Sequence, residues 1–253
     1  MPENETLTSI ARRLATGDLS AVADLGGWRA LDVDDQGTLQ QMLRDLSAAE
    51  APRPLSENNG DLLCNWVAVP TGDHAALLDE LGLTWSIPAT QDLADAASGS
   101  GVVYVTPQWD GWTLIYGHAV SIGSTGSTPS ELEQLSLRFG AAHWYGADYG
   151  CDGWAMAENG KLVRLCMFGD ALERDTFIGE PHRAEVDAIL TWRADIDYDE
   201  DDDGRPRCGP AAVAAYGSVD PTAVGPHTRV QGHGLIAVPN LAAGLLGMFP
   251  VQP

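Results

Sequence analysis

Apolar residues recur along this chain at two spacings, and the change from one to the other divides it. Between 6 and 16, Leu7, Ile10, Ala11 and Leu14 stand at i, i+3, i+4 and i+7, which predicts an amphipathic helix stopped by Gly17. Residues 38–49 repeat the pattern with Leu39, Met42, Leu43 and Leu46. Ala51-Pro52-Arg53-Pro54 and the polar stretch 56–60 then break it, so a helical N-terminal extension over 1–55 is expected to precede a main domain over 56–253.

Beyond the break, short runs rich in β-branched and aromatic residues predict strands at 62–69, 102–106, 112–116 and 235–238. Helices are expected at 74–81, 185–192 and 210–216, with another short one closing the tract that ends near Val251. Trp109-Asp110-Gly111-Trp112 has Asp-Gly at the centre of a two-residue turn, which predicts a type I′ hairpin pairing the two tryptophans. Pro107 beside it fits only an edge strand or a longer loop. Thr128, Pro129 and Glu131 form a capping box that starts a helix, and Gly140 ends it. Asn159-Gly160 predicts a second hairpin in which Trp154 faces Leu165 and Met156 faces Val163, while Arg164 shares the opposite face with Ala155. The fold class is therefore α+β: a mostly antiparallel sheet containing two hairpins, covered on one side by flanking helices.

Charge narrows the function classes. The chain carries 14 Lys+Arg against 36 Asp+Glu, a net −22, while 44 % of its residues are hydrophobic, enough for a core. Such a surface repels nucleic-acid phosphates and anionic lipid and favours a basic protein partner. The most apolar tract, 235–251, is interrupted by Pro239, Asn240 and Gly244 and falls short of a membrane span. The acidic N-terminus has no apolar leader segment, and the four cysteines (Cys64, Cys151, Cys166, Cys208) lack both CxxC spacing and disulfide-scaffold density. Both features point to a cytoplasmic location.

Candidate chemistry is sparse. Seven of the nine residues from 195 to 203 are acidic, and Asp199, Asp201, Asp203 and Gly204 echo the start of a calcium loop. Its twelfth position is Pro210 where a bidentate Glu is required, so the run reads as a solvated docking surface, with Asp199, Asp201 and Asp203 only a weak metal set. The stretch 123–128 has the glycine and hydroxyl content of a phosphate cradle but no lysine, and no cofactor is expected. An assembled enzyme site would draw on His143 and Cys151, which flank an aromatic stretch, and on His227 and His233 in a glycine-rich segment. Trp109 and the residues Trp144, Tyr145 and Tyr149 read as loop aromatics beside acidic groups, the composition of a protein-recognition patch with Asp197, Asp199, Asp201 and Asp203.

Four stretches, DGWTLIYG at 110–117, LSLRFG at 135–140, GWAMAENG at 153–160 and SVDP at 218–221, resemble a group of uncharacterised actinobacterial proteins. The resemblance spans roughly 100–238 and implies a shared fold, with no activity or site residues attached. Three functions follow as expectations. The first is an immunity- or antitoxin-like inhibitor of a basic protein. The second is an enzyme whose site is built from distant residues, and the third is a structural subunit of a larger assembly.

Overall fold

The computed structural model describes residues 4–55, 65–98, 102–117, 128–148, 151–168, 176–188 and 209–239. The predicted early helices are α1 (Asn4–Ala15) and α3 (Val33–Ala48), with a short α2 (Ser20–Ala23) between them. Leu7, Ile10, Ala11 and Leu14 form the buried stripe of α1, each at most 4 % exposed. Asp32 caps α3 by accepting from the Asp35 amide at 2.9 Å. The elements that follow are β1 (Asn65–Val69), α4 (His74–Glu80), β2 (Leu83–Pro88), α5 (Gln91–Ala97), β3 (Val103–Val105), β4 (Gln108–Trp109) and β5 (Thr113–Tyr116). Then come α6 (Thr128–Phe139), β6 (Ala141–Asp148), β7 (Cys151–Glu158), β8 (Lys161–Met167), β9 (Thr176–Ile178) and a helix α7 at 183–188. The last elements are α8 (Pro210–Gly217), β10 (Val230–Gln231) and β11 (Leu235–Pro239). The residues that follow β11, where a terminal helix was expected, and the stretch 123–127 lie outside the described residues.

Nine strands form one antiparallel sheet in the order β2-β11-β3-β5-β1-β6-β7-β8-β9, so the fold is α+β as the sequence predicts. A separate ribbon pairs β10 with β4. Strand alternation sends Tyr104, Leu114, Tyr116, Trp66, Ala68, Tyr145, Trp154 and Met156 to one face, where they join the apolar stripes of α1, α3, α5 and α8. Val67, Val69, Val103, Val105, Ile115, Trp144 and Ala155 point to the other, against Leu77 of α4 and Leu132 and Leu135 of α6. Helices thus cover both faces, a correction to the one-sided sheet, and the reason is visible in β3 and β5, which are buried at every position. Ser47 and Thr90 tie the N-terminal helices to this body. Ser47 Oγ donates to the Ala89 carbonyl at 2.7 Å and accepts from the Gly234 amide at 2.9 Å, while Thr90 Oγ1 donates to the Ala15 carbonyl at 2.6 Å.

Both predicted turns form. Asp110 and Gly111 have φ of 48° and 95°, and Trp109 and Trp112 exchange backbone hydrogen bonds at 2.7 and 2.9 Å across them. Asn159 and Gly160 have φ of 47° and 82°, with Glu158 opposite Lys161. The second hairpin keeps the expected register through Ala157–Leu162 and departs from it at the next pair. Val163 is an extra residue on β8, so Met156 faces Arg164 and Trp154 faces Cys166. That bulge turns Arg164 to the same face as Met156 and buries it, at 5 % exposure.

One transverse row of side chains crosses the whole sheet. Ile87, Ile236, Tyr104, Tyr116, Trp66, Tyr145, Trp154, Cys166 and Phe177 are register partners in turn. At its centre Trp66 stacks on Tyr145 with ring centroids 5.2 Å apart and on Tyr116 at 6.4 Å.

Candidate functional site

The densest group of chemistry-bearing side chains lies beside the centre of this row. On β6, His143 and Tyr145 are two residues apart and share a face, beneath the C-terminus of α8. Ser218, just past α8, donates through Oγ to the Tyr145 hydroxyl at 3.2 Å, and that hydroxyl lies 3.3 Å from His143 Nδ1. Nε2 is buried without a hydrogen-bond partner. The Trp112 ring lies 5.1 Å from the imidazole and that of His182 lies 6.0 Å away. His182 is itself committed on both sides. Its Nδ1 accepts from the Ala184 amide at 3.2 Å, and its Nε2 faces Glu158 Oε1 at 3.4 Å.

Burial sets the electrostatics of this group. It drives the His143 pKa down from 6.5 to about 4, with His182 pushing the same way and a hydrogen bond to the Gly217 backbone opposing. It raises the Tyr145 hydroxyl, against the opposing hydrogen bond from Ser218. A base that ionises near 4 beside a weakened acid does not exchange protons readily at neutral pH, where general acid–base groups work best. The chain Ser218–Tyr145–His143 is thus a neutral hydrogen-bond network.

A second buried polar group sits beside it, unannounced by the sequence. Arg164 grips Glu185 with two hydrogen bonds, Nε to Oε2 and Nη2 to Oε1, each 2.7 Å, and donates a third from Nη1 to the Gly179 carbonyl at 2.9 Å. Trp154 Nε1 adds a 3.3 Å bond to Glu185 Oε2. The pair is 6 % and 7 % exposed, and with every oxygen of the carboxylate occupied it ties α7 to the sheet.

Of the residues expected to act, only His143 and Tyr145 belong to this group. Trp109, Trp144 and Tyr145 lie in strands, 2 %, 3 % and 0 % exposed, which corrects their reading as loop aromatics available to a partner. The small residues Gly146 and Ala147 suggest a loop, but alternation from Ala142 to Tyr145 makes the segment a central strand. His143 and Cys151 do not form a pair. Cys151 opposes Asp148, five positions along the hairpin from His143, or roughly 17 Å of strand. His233 precedes β11, four strands from β6 and thus about 19 Å across the sheet, and it lies beside His74 instead. His227 is exposed in the segment before β10. The four residues of the assembled-site reading are therefore not one site. Tyr149 and the run containing Asp197, Asp199, Asp201 and Asp203 lie outside the described residues.

Among the described residues no group of three or more His, Cys, Asp or Glu is placed to hold a metal ion, and no helix is long and apolar enough to cross a membrane. No protein-family model, curated protein or solved structure matches the chain.

Proposed function

We propose that this chain is a cytoplasmic acidic protein-binding module, an immunity- or antitoxin-like inhibitor of a basic protein. The observation that carries this reading is the fate of its few cations. Arg13 is paired with Asp18 and Asp24, Arg53 with Glu50 and Asp92, and Arg138 with Asp79 and Glu80. Arg183 is held by Asp187, Arg229 by Asp110, and Arg164 is buried on Glu185. At least six of the 14 basic residues are thus bound to carboxylates, dispersed over the fold, and offer no basic patch against a field of net −22. A nucleic acid or an anionic membrane is repelled by that field, whereas a basic protein is drawn in and oriented by it.

Co-purification from the native host, followed by association kinetics at two salt concentrations, tests this. The partner is expected to be basic, and its association rate should fall at least tenfold as the screening length shrinks from ~10 Å at 0.1 M salt to ~3 Å at 1 M. Neutralising Asp197, Asp199, Asp201 and Asp203 should slow association further. An association rate indifferent to salt counts against the proposal.

The Ser218–Tyr145–His143 chain favours an enzyme as second reading. It predicts a turnover abolished by His143→Gln with the fold intact. The neutral tuning of the same three groups supports the binding module instead.

A further inference from the structure

We propose that His74 and His233 form a two-histidine site for a divalent transition-metal ion of the zinc, nickel or copper class, clamping α4 to the turn before β11. Their rings lie 6.1 Å apart at 74°. His74 opens α4, whose start is fixed by Asp73 accepting from the Ala76 amide at 3.0 Å. A backbone hydrogen bond to Thr106 holds its ring, and its Nε2 is buried with no partner. An imidazole nitrogen buried without a hydrogen-bond partner is free to take a metal ion when it carries no proton. A ligating histidine is ordinarily held in this way, one nitrogen donating to a carbonyl and the other free for the metal.

His233 is equally well placed. It is half-buried, and the next residue, Gly234, is pinned by the hydrogen bond its amide donates to Ser47 Oγ at 2.9 Å. A Cβ on Gly234 would come within 2.7 Å of the Ala89 carbonyl oxygen and of the Tyr104 hydroxyl, so this backbone is seated against the sheet. The imidazole therefore comes from a fixed frame, as does that of His74. The other close histidine pair offers nothing comparable, because both nitrogens of His182 are already engaged. Two imidazoles select borderline metals over calcium or magnesium, which prefer oxygen ligands. Water would complete the coordination.

The test is titration of the untagged full chain with nickel or zinc chloride alone, read by calorimetry and by thermal unfolding. One equivalent should bind, and at tenfold excess over the dissociation constant Tm should rise by about 3–6 °C. His74→Gln and His233→Gln should each remove the rise, and copper bound to the parent chain should show two nitrogen ligands by electron paramagnetic resonance. His182→Gln and His227→Gln should leave both signals in place. The proposal is overturned by an unchanged Tm, by an equal shift with calcium, or by a shift that survives in the double variant of His74 and His233.

Discussion

Lowering the pH from 7 to 5 asks the folded protein to accept a proton on a buried imidazole. His143 is 4 % exposed, and its pKa is depressed from 6.5 to about 4 chiefly by burial. The unfolded chain binds that proton near 6.5, so between the two values it holds more protons than the fold, and stability must rise with pH there. The contribution of neutral His143 is complete above about pH 6.5 and is lost progressively as pH falls toward 4. With one pKa unit equivalent to about 1.4 kcal/mol, the loss amounts to roughly 2 kcal/mol by pH 5 and roughly 3 kcal/mol by pH 4. His143→Gln removes the titration while keeping a hydrogen-bonding side chain beside the Tyr145 hydroxyl. Urea unfolding of both proteins between pH 7.5 and 5 isolates the effect, because His74 and the carboxylates titrate in both. At pH 7.5 the variant should be the less stable. Its deficit should shrink by about 2 kcal/mol at pH 5, to near zero or a reversal. Parallel stability profiles for the two proteins would refute the buried neutral imidazole.

Three further outcomes follow from the packing. Gly160→Val should cost roughly 1–3 kcal/mol, because the residue has φ of 82° and a Cβ there would lie 3.1 Å from Leu137 of α6; an unchanged Tm would refute the turn geometry. Arg164→Met should lose about 3–5 kcal/mol by leaving Glu185 buried and unpaired, and adding Glu185→Leu should recover most of that in chemical denaturation. Tyr116→Phe should leave stability unchanged or raise it by about 1 kcal/mol, since it deletes a buried hydroxyl that has no hydrogen-bond partner; a loss above 1 kcal/mol would show that the hydroxyl is satisfied.

Local chemistry made much of this fold legible. The stripes of α1 and α3, the two positive-φ turns and the proline-led α8 depend on residues within a few positions of one another. Strand order does not. β11 lies between β2 and β3, a placement settled by pairing across more than 130 residues of sequence, for example Ile236 with Tyr104. The bulge at Val163 was equally hidden, because an extra residue leaves no mark in an alternating run that continues on either side. It concealed the buried Arg164–Glu185 pair, since only a shifted register puts Arg164 on the face of α7 and Glu185. His143 stands out in the sequence as a candidate, but its partners do not. From sequence Tyr145 falls in an aromatic loop, and His182 and Ser218 stand 39 and 75 positions from His143.

The aromatic row bears most directly on function. Eight tryptophans in an acidic chain suggest a protein-recognition surface. Yet Trp66, Trp109, Trp144 and Trp154 are each at most 3 % exposed, committed to the sheet or to the β4–β10 ribbon. The recognition energy usually carried by such anchors is therefore not available from these four. What the surface offers a partner over distance is charge, and at least six of the arginines set against that acidic field are paired within the fold. An interface built this way gains its rate and selectivity from electrostatics, which is why salt, rather than truncation of an aromatic side chain, is the perturbation that discriminates between a binding module and an enzyme here. Trp109→Ala and Trp144→Ala should accordingly act through stability, losing about 3–5 kcal/mol as buried side chains do, before any effect on a partner is felt. A variant that keeps its Tm while losing affinity would return these residues to the surface and overturn this assignment.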